Sequence, residues 1–237
     1  TVIFEVWDPT HRDADPDDAN TRKAIWQLNY EAIGRVAMRY TTGRKRRPKP
    51  PALLINGSSG DVYGSHPEPR SERDPCLPDR EYGRSRMAQE LLLHFLATQA
   101  ETRCVNLRYY HANTPDAGLM RRVAELVLKS ESLGGEPDRR VQVIGLEDVT
   151  RYTVLAAESG DRLPEAINIC HPTIWTMRSL ANRLRDILGS GEVRFDAEHG
   201  GTERSVIGNP AKVIELFGEP RQELTPLMEE VCADAKQ

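Results

Sequence analysis

Two serines, a tyrosine and an arginine lie close enough in the sequence to share one site. Ser58 and Ser59 follow a short apolar run, and Tyr82 and Arg86 are four residues apart at the start of a later helical pattern. Residues four apart share one face of a helix, so the guanidinium is expected beside the phenol. A cation about 4 Å away stabilises a phenolate by roughly 4 kcal/mol at an effective dielectric near 20. These groups could therefore move a proton to and from an alcohol.

A plain structural interpretation of the same residues is also open. A tyrosine and an arginine at this spacing usually belong to a solvated helix face. The serines favour the chemical interpretation, because they follow Leu53, Leu54 and Ile55, which have the pattern of a buried parallel strand. Open α/β sheets place their chemistry at the carboxyl ends of such strands.

The elements around these residues are predicted to alternate between strand and helix. Strands are expected at residues 1–6, 52–56, 104–109, 141–144, 166–170 and 193–196. Helices are expected at residues 21–40, 82–100, 119–133, 146–158, 177–188, 209–217 and 226–236. The buried side of the helix at 82–100 is predicted to consist of Met87, Leu91, Leu92 and Phe95. Strand, helix and strand in this order form right-handed parallel units.

Three motifs resemble the extended short-chain dehydrogenase/reductases, the NAD-dependent epimerase/dehydratase family. They are Ser-Ser-Gly-Asp-Val-Tyr-Gly at 58–64, Tyr-Gly-Arg-Ser-Arg at 82–86 and Asn-Leu-Arg-Tyr-Tyr at 106–110. The family normally has lysine where Arg86 stands. The resemblance implies an α/β fold, with a Rossmann-like parallel sheet that is incomplete at the amino end and a small C-terminal α/β substrate lobe. Residues 1–118 would be part of the NAD(P)-binding domain, and residues 119–237 would hold the last sheet elements and the lobe.

The resemblance also implies roles for individual residues. The catalytic residues would be Ser59, Tyr82 and Arg86. The cofactor contacts would come from Ser58, Tyr82, Arg86 and Tyr109. The substrate contacts would come from Asn29, Tyr110, His111 and Asn113. The cofactor would be NAD or NADP and the substrate a nucleotide sugar or related polyol. A two-fold homodimer is common in this family and is expected here.

The glycine-rich turn that receives a dinucleotide pyrophosphate has no counterpart in this sequence. Neither Gly-x-x-Gly-x-x-Gly nor Gly-x-Gly-x-x-Gly occurs in it. Compared with the family, the chain is expected to begin at about the fourth strand. We expect the exposed parallel edge to be covered by an amino-terminal segment outside this sequence, by a partner chain or by a dimer contact, and we favour the first.

The net charge and the numbers of cysteines and histidines argue against several classes of protein and of binding site. The formal net charge of -4 gives no reason to propose nucleic acid, and the basic run at 44–49 is expected to be a solvated loop. Four scattered cysteines favour a reducing, cytoplasmic setting and argue against a zinc site. The dispersed histidines indicate no metal site, and no apolar run has the length of a membrane span.

Three functional hypotheses follow. The first is an NAD(P)-dependent epimerase, dehydratase or reductase, an oxidoreductase or isomerase of nucleotide sugars that uses Tyr82 for proton transfer. The second is a non-catalytic binding or regulatory relative that has lost cofactor binding. The third is a scaffold subunit that completes its sheet with another chain.

Overall fold

The computed structural model describes residues 1–4, 18–41, 51–196 and 205–237 of the chain. The predicted basic loop at 44–49 and the end of the predicted first strand lie outside the described residues. The strands are β1 (Val2–Phe4), β2 (Leu53–Ser59), β3 (Arg103–Tyr109), β4 (Ala112–Asn113), β5 (Ser132–Gly134), β6 (Arg140–Val141), β7 (Ile144–Gly145), β8 (Ala166–Ile169), β9 (Trp175–Thr176) and β10 (Arg194–Asp196). The helices are α1 (Ala19–Trp26), α2 (Ile33–Thr41), α3 (Glu81–Gln99), α4 (Leu119–Leu128), α5 (Leu146–Ser159), α6 (Met177–Leu188), α7 (Ala211–Phe217) and α8 (Leu224–Ala235).

The chain forms two compact units. The first unit comprises Thr1–Gly64, Glu72–Tyr109 and Thr153–Asn168, and the second comprises Ser65–Ser71, Tyr110–Tyr152 and Ile169–Gln237. The predicted division of the protein into residues 1–118 and 119–237 stays a prediction.

A parallel sheet organises the first unit. Its four strands lie in the order β1, β2, β3 and β8, and β2 pairs in parallel with both β1 and β3. The α/β, Rossmann-like fold expected from the sequence is therefore confirmed. The strand β2 is longer than predicted, since it continues through Asn56 to Ser59, and all seven of its residues are buried. Ser59 is consequently the last residue of the strand.

The helix α3 packs on this sheet with a face other than the one predicted. Leu93, Leu96 and Ala97 join the core with Leu54, while Leu91 and Phe95 are 64% and 59% exposed. The prediction that Leu91 and Phe95 are buried is wrong. The buried face of the first half of α3 is polar instead, and it carries Tyr82, Ser85, Arg86, Gln89 and Glu90.

Two helices differ from the predicted single segments. The helix predicted at 21–40 is interrupted by a π-helical turn at Gln27–Ala32, which separates α1 from α2. The helix predicted at 119–133 ends at Leu128, because Ser130 has a positive φ of 54° and the chain then enters β5. Tertiary pairing of β5 with β10 overrides the helical pattern there.

The second unit has a core of its own. The helices α4, α6 and α8 bury a common apolar cluster that includes Val123, Leu184 and Val231. The start of α6 is fixed by a capping box between Thr176 and Ser179, and its end is Gly189 in the left-handed conformation, as predicted. In the described ranges, no helix has the length and apolar content needed to cross a membrane.

Candidate active site

Ser59 ends β2 and begins a tight turn. Its Oγ accepts a hydrogen bond from the backbone N–H of Asp61 at 3.2 Å, which caps the single 3₁₀ turn Gly60–Tyr63. The Ser59 hydroxyl in turn donates to the Asp61 carboxylate at 2.6 Å. Because the Asp61 carboxylate holds the hydroxyl proton and the Asp61 N–H occupies one lone pair, the Ser59 oxygen is oriented by its own turn and keeps one lone pair for a further contact.

The first turn of α3 lies against that serine turn, and Gly83 makes the approach possible. A Cβ added to Gly83 would lie only 2.4 Å from the backbone carbonyl oxygen of Asp61. Any side chain at position 83 would therefore push α3 away from the turn. The tyrosine of α3 and the serine of β2 consequently belong to two directly packed segments.

Tyr82 and Arg86 form the contact expected from their spacing. Arg86 Nε donates to the Tyr82 hydroxyl at 3.2 Å, and the guanidinium carbon lies 5.2 Å from the centre of the tyrosine ring. Arg86 Nη1 also donates to the Gly57 carbonyl and to Gln89 Oε1, both at 3.1 Å. Arg86 is 2% exposed and Tyr82 is 9% exposed. The cation is thus held beside the phenol in a site largely shielded from water, where its electrostatic effect is stronger than at a surface.

Asn29 contacts the same helix from the π-helical turn. Its Nδ2 donates to Ser85 Oγ at 3.0 Å, and Ser85 Oγ donates to the Tyr82 carbonyl at 2.7 Å. The indole N–H of Trp26 donates to Glu81 at 2.9 Å, and this hydrogen bond lowers the pKa of the Glu81 carboxyl. Two side chains of the preceding helical segment thus hold the first turn of α3. π-Helical turns of this kind are frequent at functional sites.

Ser58 belongs to a buried ionic network with Glu90 of α3 and Arg108 of β3. Its hydroxyl donates to Glu90 at 2.5 Å, and Arg108 forms two hydrogen bonds to the same carboxylate at 3.0 and 2.8 Å. Arg108 also donates to the Tyr63 hydroxyl at 2.6 Å. Burial raises the pKa of Tyr63 to about 12, although the Arg108 charge opposes the rise. The network ties β2, β3 and α3 together beneath the serines.

The remaining predicted residues divide between the units. In the first unit, the Tyr109 hydroxyl is hydrogen-bonded to Thr153 Oγ1 at 3.0 Å. In the second unit, the ring of Tyr110 packs against Gly208, and the His111 carbonyl accepts the Ile144 N–H at 3.1 Å. Asn113 Oδ1 accepts the Met120 N–H at 2.8 Å at the start of α4. Of the predicted residues, the first unit therefore contains Asn29, Ser58, Ser59, Tyr82, Arg86 and Tyr109, while Tyr110, His111 and Asn113 belong to the second unit.

Four polar residues around the site were not predicted from the sequence. They are Asn56, Asp61, Gln89 and Glu90. A signal for two of them exists, since Gln89 and Glu90 follow Arg86 by three and four residues and share its helix face. That signal was overlooked because the buried side of α3 was predicted from its apolar residues alone.

A comparison with models of known families identifies the family of the chain. A model described as the NAD dependent epimerase/dehydratase family matches residues 16–170. The chain belongs to this family. The match confirms the resemblance seen in the motifs around Ser59, Tyr82 and Leu107. Among curated proteins, none matches the chain significantly.

Solved structures of epimerases share the fold. UDP-glucuronic acid 4-epimerase from Bacillus cereus, in complex with UDP-glucuronic acid and NAD, superposes with a TM-score of 0.76 at 20% identity over 89% of this chain and 68% of that one. UDP-glucose 4-epimerase from Thermotoga maritima, with UDP-glucose, gives 0.75 at 22% identity over 91% and 71%. RMD from Pseudomonas aeruginosa, complexed with NADPH, gives 0.77 at 20% identity over 99% and 80%. At these identities the likeness establishes the fold.

The epimerase/dehydratase family is NAD-dependent, and one part of the site fits a nicotinamide nucleotide. A ribose presents hydroxyl groups that pair with a phenol and with a cation, and Tyr82 and Arg86 supply both beside the end of β2. The sequence supplies no glycine-rich turn for the pyrophosphate. Within the described residues, no cluster of three histidine, cysteine or acidic side chains is arranged to hold a metal ion.

Proposed function

We propose that this protein is an NAD(P)-dependent epimerase/dehydratase-like oxidoreductase that acts on a nucleotide sugar or related polyol. The observation that carries the proposal is the buried contact between Arg86 and the Tyr82 hydroxyl, at 3.2 Å. It places a fixed cation beside the hydroxyl that would accept and return the proton of the substrate. Membership of an NAD-dependent family supplies the reaction class.

In the proposed mechanism, Tyr82 takes the proton of a sugar hydroxyl while the carbon that bears this hydroxyl is oxidised. Arg86 holds the Tyr82 oxygen in place for that transfer. The Ser59 hydroxyl turns from the Asp61 carboxylate to the reacting oxygen and holds it by a hydrogen bond. When bound, the nicotinamide provides the two-electron hydride acceptor that no side chain can provide. On reduction of the sugar carbonyl, Tyr82 returns the proton to the oxygen.

The relatives support the substrate class and the cofactor. The Bacillus cereus and Thermotoga maritima structures hold UDP-sugars, and the Bacillus cereus and Pseudomonas aeruginosa structures hold NAD and NADPH, respectively. We therefore propose NAD or NADP as the cofactor here. Ser58 and Tyr109 are proposed as further cofactor contacts, and Asn29, Tyr110, His111 and Asn113 as substrate contacts. A cytoplasmic location stays a prediction from the cysteine pattern.

A non-catalytic binding protein is the second candidate. It is favoured by Arg86 itself, which stands in place of the family's lysine and makes three of its hydrogen bonds to Tyr82, Gly57 and Gln89 of its own chain. A planar guanidinium and a compact ammonium are not interchangeable in such a contact. If the protein is of this kind, we expect it to bind a nucleotide sugar without converting it to a product.

Replacing Tyr82 by phenylalanine separates the two candidates. For an enzyme, we expect Tyr82→Phe to lower kcat by about 10³-fold or more, because the proton donor and acceptor is lost, while the dissociation constant for the nucleotide sugar changes about twofold or less. Turnover of UDP-sugars with NAD and with NADP is followed by chromatography of the products. Tyr30→Phe is the matched control, because Tyr30 is an exposed tyrosine of the same unit. If wild-type protein binds UDP-sugar but never turns it over, the binding candidate stands.

We also propose that the protein is a homodimer that uses the outer face of α2 and α3. Leu91 and Phe95, one turn apart on α3, are 64% and 59% exposed, and Val36 of α2 is also exposed. The helices α2 and α3 pack against each other within the first unit. Exposed large apolar side chains that share a helix face are typical of an interaction site on a protein.

A further inference from the structure

Three buried amide side chains form a chain of hydrogen bonds that ends on Arg86. Arg86 Nη1 donates to Gln89 Oε1 at 3.1 Å, and Gln89 Nε2 donates to Asn56 Oδ1 at 2.6 Å. Asn56 Nδ2 then donates to Asn106 Oδ1 at 2.8 Å. Gln89 and Asn56 are completely buried, and Asn106 is nearly so. Burying three amides is costly unless they are paired, so their arrangement requires an explanation.

Sheet register and helix geometry place these amides in one line. Asn56 of β2 and Asn106 of β3 are directly opposite each other in the parallel ladder. Gln89 lies on the face of α3 that covers β2, three residues after Arg86. The line of amides therefore runs from the second and third strands of the sheet, through the helix, to the guanidinium beside Tyr82.

The direction of every hydrogen bond in the line is set by the arginine. A guanidinium only donates, so Gln89 must turn its oxygen toward Arg86 and its NH₂ group toward Asn56. Asn56 must then turn its oxygen toward Gln89 and its NH₂ group toward Asn106. All three amides thus have one consistent orientation, and each bond polarises the next one.

We propose that Gln89, Asn56 and Asn106 are positioning residues that fix the guanidinium of Arg86 against the Tyr82 hydroxyl and thereby adapt the site to an arginine. With Gly57, Gln89 holds Nη1 from two sides and so sets the rotation of the guanidinium plane. That rotation directs Nε at the phenol. The inference rests on the proposed role of Tyr82 in proton transfer. A lysine at position 86 has no planar fork, so contacts that Arg86 divides between Nε and Nη1 would have to converge on a single nitrogen.

The inference predicts a measurable change at Tyr82. Without Gln89, the guanidinium loses one of the hydrogen bonds that fix its rotation. Its contact with the Tyr82 hydroxyl then loosens. We therefore expect the hydrogen bond from Arg86 Nε to the Tyr82 hydroxyl to weaken in the variant Gln89→Leu.

The test is an NMR measurement at one fixed pH on protein labelled with ¹³C at the tyrosine ring carbon that bears the hydroxyl, which needs no substrate. The Tyr82 signal is assigned by its absence in Tyr82→Phe. Because the chemical shift of this carbon responds to hydrogen bonding at the hydroxyl, we expect the Tyr82 signal to move in Gln89→Leu and to move less in Asn106→Leu. Asn168→Leu is the matched control, because Asn168 is a buried amide of the same unit whose Oδ1 accepts a hydrogen bond from the Tyr63 hydroxyl. In this control, the Tyr82 signal is expected to keep its wild-type position.

Kinetics give a second readout. We expect Gln89→Leu to lower kcat by about tenfold with KM changed less than about twofold, because Gln89 does not touch the substrate. In an Arg86→Lys background, Gln89→Leu is expected to cause no further loss. A purely structural role for Gln89 would give additive losses in that pair.

Defined results overturn the inference. An unchanged Tyr82 signal in folded Gln89→Leu, or an equal change in Asn168→Leu, contradicts it. If Gln89→Leu does not fold, an unchanged Tyr82 signal in Asn106→Leu has the same meaning. Full turnover in Tyr82→Phe would refute the proposed function alone, since the NMR measurement reports on the hydrogen-bonded line without turnover.

Discussion

At the scale of residues, the site is built from polar side chains held inside the protein. Arg86 is paired with Tyr82, and Ser59 is paired with Asp61 of its own turn. Burial strengthens both pairs, because water no longer competes for the same hydrogen bonds. The chemistry proposed for Tyr82 and Ser59 thus depends on the side chains to which they are hydrogen-bonded, Arg86 and Asp61.

Gly83, the residue that follows Tyr82, is the subject of a prediction at the scale of residues. In Gly83→Ala, the new methyl group would meet the Asp61 carbonyl at 2.4 Å, and a backbone atom cannot rotate away. We expect the free energy of unfolding to fall by about 2 kcal/mol, and kcat to fall by about tenfold or more as α3 is displaced. Denaturant unfolding and steady-state kinetics measure the two effects.

Gly34→Ala is the matched control for that substitution. Its methyl group would meet only the end of the Leu92 side chain, at 2.7 Å, and this flexible group can move. Alanine also favours a helix over glycine by about 1 kcal/mol, so we expect Gly34→Ala to be close to neutral. Equal losses in the two variants would contradict the role given to Gly83.

At the scale of elements, α3 shows what the sequence can and cannot predict. The motif from Tyr82 to Arg86 predicted both the helix and the contact between its two functional side chains, because a spacing of four residues is enough for that. The buried face was predicted wrongly. Gln89 and Glu90 are buried because β2 and β3 offer them Asn56, Ser58 and Arg108, and partners that come from other elements cannot be seen in the pattern of one helix.

The other elements follow the same rule. The ends of α6 were predicted correctly, since the Thr176 cap and Gly189 act locally. The end of α4 was not predicted, because it depends on β5 pairing with a strand about sixty residues later in the sequence. The π-helical turn that carries Asn29 has no recognised local signal in this sequence. Features that depend on residues close in the sequence were therefore predictable, and features that depend on residues far apart in the sequence were not.

The outward face of α3 carries a prediction about assembly. The variant Leu91→Glu with Phe95→Glu places two carboxylates on the apolar surface proposed for the dimer. We expect sedimentation velocity to show a dimer for the wild type and a monomer for the variant, because buried unpaired charges oppose association. Leu77→Glu is the control, since Leu77 is equally exposed but lies in a loop of the same unit. A monomeric wild type, or a variant that stays dimeric, would contradict the proposed surface.

At the scale of the whole molecule, the chain consists of two compact units and belongs to an NAD-dependent family. The first unit carries the serine, tyrosine and arginine of the site on one parallel sheet and its helices. The second unit has its own core of three helices. The family match covers residues 16–170 and so includes residues of both units.

Cofactor binding tests the central claim most directly. NADH and then NADPH are titrated into the full-length protein, and the change in nicotinamide fluorescence is recorded with and without a UDP-sugar. We expect a dissociation constant in the micromolar range for one of the two, weakened about tenfold or more in Arg86→Ala because the cation beside the ribose is lost. A folded full-length protein that binds neither nucleotide would contradict the claim that it is a nicotinamide-dependent enzyme.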